Sequence, residues 1–231
     1  MRPVVLDTSV ILPALISPRG YRRRFWVLLA FGALAARRDL ARLEADALRA
    51  EAAALGGTIG GAPLKRLVEQ AEASYARLAE ALPHGTPDDW RLVCSRPLLS
   101  EYERKLRETG PKLDPTLREQ DIQMLRRQIE IVCTDITDDF DLTQIPTYTT
   151  DRDDDPVVHT ALLADAAWLI SDDRKHIATT PDGATEYQLP DSDRHVSAIT
   201  FSRLVERVID IDLGEIDPAL IALAFRPLDT D

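Results

Sequence analysis

The sequence contains no apolar run long enough to span a membrane. Such a span needs roughly 18 to 20 uninterrupted apolar residues. The longest apolar stretch here, Phe25 to Ala36, follows Arg22-Arg23-Arg24 and reads as a buried helix. No signal-peptide h-region precedes the first strand-like run, Pro3-Val4-Val5-Leu6, so a cytoplasmic protein is expected. Cysteine is scarce. Cys94 and Cys133 lie in apolar runs without metal-ligand spacing, which argues against a disulfide framework and for two reduced core residues. The histidines His84, His159, His176 and His195 are scattered, again without metal spacing, and His159 reads as a surface or packing residue. Basic charge is also in deficit: 28 Lys and Arg against 39 Asp and Glu give a net charge of −11. A nucleic-acid binder normally carries a basic footprint, so the total weighs against that class.

What is present is a foldable chain. Hydrophobic residues make up 45% of 231, enough for a core, and the length suits one domain, 1–231, with an insertion. The charge is uneven: residues 135 to 155 are strongly acidic, whereas Arg22-Arg23-Arg24, Arg37-Arg38 and Arg104-Lys105-Arg107 are basic. The first arginine cluster reads as a solvated helix face, with a phosphate-contacting edge as the alternative.

Short apolar runs alternate with helical periodicity. Strands are expected at Pro3–Leu6, Arg91–Cys94, Ile129–Cys133, Ala167–Ile170 and His195–Ile199. Between the first two lie an apolar helix through Leu34 and an Ala-, Leu-, Glu- and Arg-rich pair, Leu40–Leu55 and Leu64–Leu82, separated by the glycine-rich residues 56 to 61. This pair reads as a helical hairpin inserted over 38–88. Ser95 is placed to cap a helix from Arg96, Asp154 one from Asp155, and Thr200 one from Phe201. The alternation implies an α/β, Rossmann-like three-layer sandwich around a parallel sheet of about five strands. Ligands of such sheets bind beyond the carboxyl ends of the strands.

Acidic residues collect there. Asp7 ends the first strand and Asp173 closes Ile170-Ser171-Asp172-Asp173; Glu101 and Asp154 lie in or at the start of helices flanking such strands. Gathered carboxylates raise one another's pKa, and a hard divalent cation removes that penalty. Such a cation can lower the pKa of a water and neutralise a scissile phosphate without a histidine or cysteine nucleophile.

Four segments together, Val5-Leu6-Asp7-Thr8-Ser9-Val10, Leu98-Leu99-Ser100-Glu101-Tyr102, Asp153 to Leu162 and Ala166 to Asp173, closely resemble PIN-domain nucleases. The resemblance covers about residues 3–34 and 90–210. It implies a Mg²⁺- or Mn²⁺-dependent ribonuclease, many bacterial examples being toxins of type II toxin–antitoxin pairs. It assigns Asp7, Glu101, Asp154 and Asp173 as catalytic metal ligands, with Asp155 the fallback for Asp154 and Asp173 preferred to Asp172. Ser9 and Ser171 would support them. An RNA substrate and an antitoxin protein are the implied partners. The sequence departs from the family at the long 38–88 segment, at Asp172 where glycine is common, and at Arg174-Lys175-His176-Ile177.

Two rival classes remain at this point. One is a PIN-fold RNA- or protein-binding module with weak or no cleavage. The other is a phosphotransfer receiver with Asp7 as acceptor, which leaves Glu101 without a role. Whether DNA is cut, and which RNA, is not written in the sequence. The apolar face Phe25-Trp26-Leu28-Leu29 is a candidate homodimer contact.

Overall fold

The β-rich run at the N-terminus forms strand β1 (Arg2–Leu6), which becomes an inner strand because both of its edges find partners. The computed structural model describes residues 1–55, 61–137, 140–180 and 183–226. After β1 come helices α1 (Thr8–Ile16), α2 (Tyr21–Ala54) and α3 (Ala62–Ala81), then β2 (Trp90–Ser95), α4 (Arg96–Leu113), α5 (Glu119–Val132) and β3 (Cys133–Thr137). A short 3-10 turn (Arg152–Asp154) leads into α6 (Asp155–Leu163), followed by β4 (Trp168–Ile170), β5 (Thr185–Gln188), β6 (His195–Ile199), α7 (Phe201–Arg207) and α8 (Ile221–Phe225).

The strands make one sheet in the order β3-β2-β1-β4-β6-β5. All neighbours are parallel except β5, which runs antiparallel to β6 at the edge. The result is the expected three-layer α/β sandwich. Every residue of β2 is buried, as a strand covered on both faces must be. The chain leaves β1 first toward β2 and β3 and later returns on the other side through β4. The β1/β4 boundary is therefore the switch point, where a crevice opens at the carboxyl edge.

Four expectations are corrected. The apolar helix does not stop near Leu34: α2 runs unbroken into the presumed first arm of the hairpin, since no proline or capping signal interrupts residues 33 to 54. The glycine-rich residues 56 to 60 lie outside the described residues. The face Phe25-Trp26-Leu28-Leu29 is no dimer contact, because all four side chains are buried in the chain's own core, with Phe25 edge-on to Trp90 and Phe201. Ile129 to Val132 belong to α5, whose buried residues Ile122, Leu125, Ile129 and Val132 repeat at helical spacing; β3 starts only at Cys133. Finally, β5 joins as a sixth strand.

The arginines Arg22, Arg23 and Arg24 form neither a solvated face nor a phosphate edge. Arg22 pairs with Asp172, Arg23 donates to the carbonyls of Ala14 and Leu15 at the end of α1, and Arg24 donates to Leu213 and Gly214. Cys94 is buried and Cys133 half-buried, with no disulfide between them, and burial pushes the Cys94 thiol well up. Among the described residues, no helix is long and apolar enough to cross a membrane.

Candidate active site

Asp7 follows the last residue of β1, and its amide donates to the Ile170 carbonyl of β4, which places it at the switch point. Its carboxylate is nearly enclosed, at 6% exposure, and caps α1 by accepting from the Ser9 amide at 3.1 Å. The same Oδ2 also accepts from the Ser9 hydroxyl and, at 2.9 Å, from the Ser171 hydroxyl. These hydroxyls serve both loops: Ser171 Oγ accepts from the Asp173 amide and Ser9 Oγ from the Asp172 amide. Ser9 and Ser171 therefore clamp the end of β1 to the end of β4.

Beyond β4 the adjacent acids diverge. Asp172 turns away: it pairs with Arg22 and accepts from the Phe201 amide at the start of α7, at 3.1 Å. The extra charge that the sequence puts beside the site is thus paired with Arg22. Asp173 turns into the cleft, and its Oδ1 accepts from the amides of Lys175 and His176, folding the chain tightly back.

Asp154 reaches the same place from the 3-10 turn. The sequence casts it as a side-chain cap for α6, but its carboxylate makes no cap bond. Asp155 fills the structural role instead. It is fully buried, and its Oδ1 accepts from the amides of Tyr148 and Thr149 and from the Thr149 hydroxyl. With Asp155 turned inward, Asp154 faces the cleft. Partial burial, then the charges of Asp7, Asp173 and Asp151, push its carboxyl up to about 6, with His176 acting in the opposite direction.

Glu101 arrives on α4, whose start is capped by the Ser95 hydroxyl through the Leu98 amide at 3.2 Å. Leu98, Tyr102 and Leu106 form its buried stripe. The Tyr102 hydroxyl donates to the Leu6 carbonyl, tying the residue after Glu101 to the residue before Asp7. Burial keeps that phenol protonated, since it raises its pKa well above the ordinary value. The Glu101 carboxylate itself is gripped by Arg104 at 2.8 Å, with Lys105 at 3.9 Å.

The four expected acids thus line one cleft of about 680 Å³, together with Asp151, Asp153, Lys105, Lys175 and His176. Asp7, Asp154 and Asp173 are electrostatically coupled there, whereas Glu101 lines the wall in an ion pair. Sequence reasoning missed Asp151 and His176. Asp151, Asp154 and His176 each place one potential ligand atom within 4.8 Å of the others. Hard carboxylate oxygens gathered with an imidazole nitrogen around one point suit a divalent cation, so the residues present fit such an ion.

Fold and site together define an α/β protein with an acidic crevice at the switch point of its sheet. Residues 64–175 match the family model described as PIN domain, which together with this fold supports a PIN-domain assignment. Glu101, Asp154 and Asp173 fall within the matched residues, and Asp7 precedes them. Neither the curated proteins nor the solved structures include a match to the chain.

Proposed function

We propose that this chain is a metal-dependent endoribonuclease that hydrolyses RNA phosphodiesters in the cleft beside β1 and β4. One observation carries the reading: Asp7, Asp154 and Asp173 line one cleft at the switch point, where burial first and then the neighbouring charges raise the Asp154 carboxyl to about 6. On this reading Asp7, Glu101, Asp154 and Asp173 hold one or two divalent cations, Mg²⁺ or Mn²⁺. The cation supplies charge neutralisation at the phosphate and a lowered pKa for the attacking water.

The chain's own residues position the rest. The Ser9 and Ser171 hydroxyls hold the Asp7 carboxylate, and the amides of Lys175 and His176 hold that of Asp173 in the cleft that Asp154 also lines. Lys105 and Lys175 at the cleft wall suit phosphate oxygens flanking the cut. Water adds at phosphorus and the bond to the 3′-oxygen breaks, leaving a 3′-hydroxyl and a 5′-phosphate. The Arg104 grip on Glu101 is no obstacle. Both side chains are partly exposed, and such a pair is worth about 0–1 kcal/mol, so a divalent cation can draw Glu101 over.

A structured RNA pool incubated with Mg²⁺ or Mn²⁺ tests the reading, using wild type, wild type with EDTA, and the variants Asp7→Asn and Asp173→Asn. Cleavage is expected to vanish with chelator and to fall by at least about a hundredfold in either variant, the scale of removing a group that stabilises the transition state. An Asp7→Asn protein that cuts as well as its parent removes the assignment. The Arg104 pair favours one second reading, a binding module with weak or no cleavage. Folded wild type that binds RNA but never cuts it establishes that instead. The toxin role rests on the motif resemblance, and growth arrest on induction, relieved by a co-expressed neighbouring open reading frame, is its test.

A further inference from the structure

Asp151 and Asp154 flank a 3-10 turn, Asp151 as its N-cap and Asp154 as its last residue. Such a turn has three residues per turn, so side chains three apart eclipse one another on one face. Both carboxylates line the cleft, and each places one potential ligand atom within 4.8 Å of the other and of a His176 ring nitrogen. His176 meets them from the turn after β4. Its backbone is fixed by the Asp173 carboxylate, which accepts from its amide at 3.0 Å, and by the Tyr187 hydroxyl, which donates to its carbonyl at 3.1 Å. Its ring is fixed too: Nδ1 meets the Thr150 hydroxyl at 2.7 Å. Thr150 is the neighbour of Asp151, so this hydrogen bond joins the two loops that carry the three groups. A hydroxyl on one ring nitrogen orients the other for a metal, as in histidine ligands held by an outer partner.

We infer that Asp151 and His176 join Asp154 as ligands of the cation, and that this nitrogen-containing set makes the protein prefer a first-row divalent transition ion to Mg²⁺. The inference rests on the reading of the cleft as a metal-dependent nuclease and specifies its ion. Mg²⁺ selects hard oxygen ligands and sheds water reluctantly. Imidazole favours ions further along the transition series. An all-carboxylate cleft would suit Mg²⁺; one that adds His176 tilts the balance. Asp151 Oδ1 accepts from the Asp153 amide at 3.1 Å and His176 Nδ1 is engaged by Thr150, so each side chain has its other ligand atom to offer the ion.

Manganese is the probe, because its paramagnetism reports its own ligands. Full-length wild type is titrated with Mn²⁺ and separately with Mg²⁺ by calorimetry, beside His176→Ala, Asp151→Asn and Asp7→Asn, each checked for folding by circular dichroism. Pulsed electron spin-echo spectroscopy of Mn²⁺ bound to wild type is expected to show imidazole nitrogen coupling. The Mn²⁺ dissociation constant is expected to rise about tenfold or more in His176→Ala, the cost of disturbing a ligand shell. The Mg²⁺ constant is expected to move by about threefold or less, since that ion gains little from nitrogen. Mn²⁺ bound without nitrogen coupling, weakened by Asp7→Asn and untouched by His176→Ala, overturns this inference and leaves the nuclease reading standing. Wild type that binds neither ion overturns both. The spin-echo measurement needs no variant, so it decides even if His176→Ala fails to fold.

Discussion

Asp154 sits partly buried where the fields of Asp7, Asp173 and Asp151 meet, and its carboxyl is raised to about 6. A carboxyl raised above its unfolded value binds its proton more tightly in the folded protein. Without metal, the folded state therefore loses stability as pH rises from the ordinary carboxylate range to about 6, and the full penalty stands above that. In EDTA, the melting temperature of wild type is expected to fall from pH 5 to pH 7. Asp154→Asn, which carries no titrating proton, is expected to show a smaller fall and to melt above wild type at pH 7. Scanning calorimetry at the two pH values checks this, and an unchanged pH dependence in the variant would place the strain elsewhere. At this scale the acids at strand ends were legible: Asp7 and Asp173 follow apolar runs, and their location follows from the sheet alone. Asp151 was hidden in an Asp-rich stretch, because only the 3-10 geometry decides which of residues 151 to 155 share a face. His176 was hidden because its approach depends on the Asp173 turn and Thr150, 26 residues away in the chain.

Among the elements, the closest approach is between α2 and β2. A Cβ built on Gly32 would lie 1.8 Å from the Trp90 carbonyl oxygen, so a methyl there forces backbone apart from backbone. Gly32→Ala is expected to destabilise the fold by at least about 1–3 kcal/mol, the usual cost of overpacking, despite alanine's better helix propensity. Chemical denaturation measures it, and a neutral or stabilising result would mean the two elements can separate freely. The parallel strands were readable as apolar runs, whereas β5 was not. Its residues Thr185-Glu186-Tyr187-Gln188 bury only Tyr187, and an edge strand with one apolar contact leaves no pattern to detect. The end of α5 was misread for the opposite reason: an apolar run at a helix terminus looks like a strand when taken without the buried positions that precede it.

Across the whole molecule, several arginines that would offset a charge of −11 are paired internally. Arg107 meets Glu103 and Glu119, Arg126 meets Glu103 and Glu130, and Arg42 meets Glu72. The far part of the α2/α3 pair contributes little to the core: on α2 no described residue after Ala45 is buried, and on α3 only Leu78 is. A chain in which residues 49 to 66 are replaced by a short glycine–serine loop is expected to keep its fold, its metal affinity and a melting temperature within a few degrees of wild type. Collapse of the fold on that replacement, followed by circular dichroism, would show that the arm is a structural requirement. That α2 is continuous was not readable in advance, because a change of composition near Leu34 looks like a boundary even where the backbone has no reason to break.

That continuity has a mechanical consequence. At 1.5 Å per residue, the 34 residues of α2 span about 51 Å, from the wall of the sheet to the outer arm. A rod with no joint cannot let one end drift while the other stays put. By the same rise Ala54 stands about 33 Å along the helix from Gly32, so the contact with Trp90 on β2 lies far from the outer end of α2.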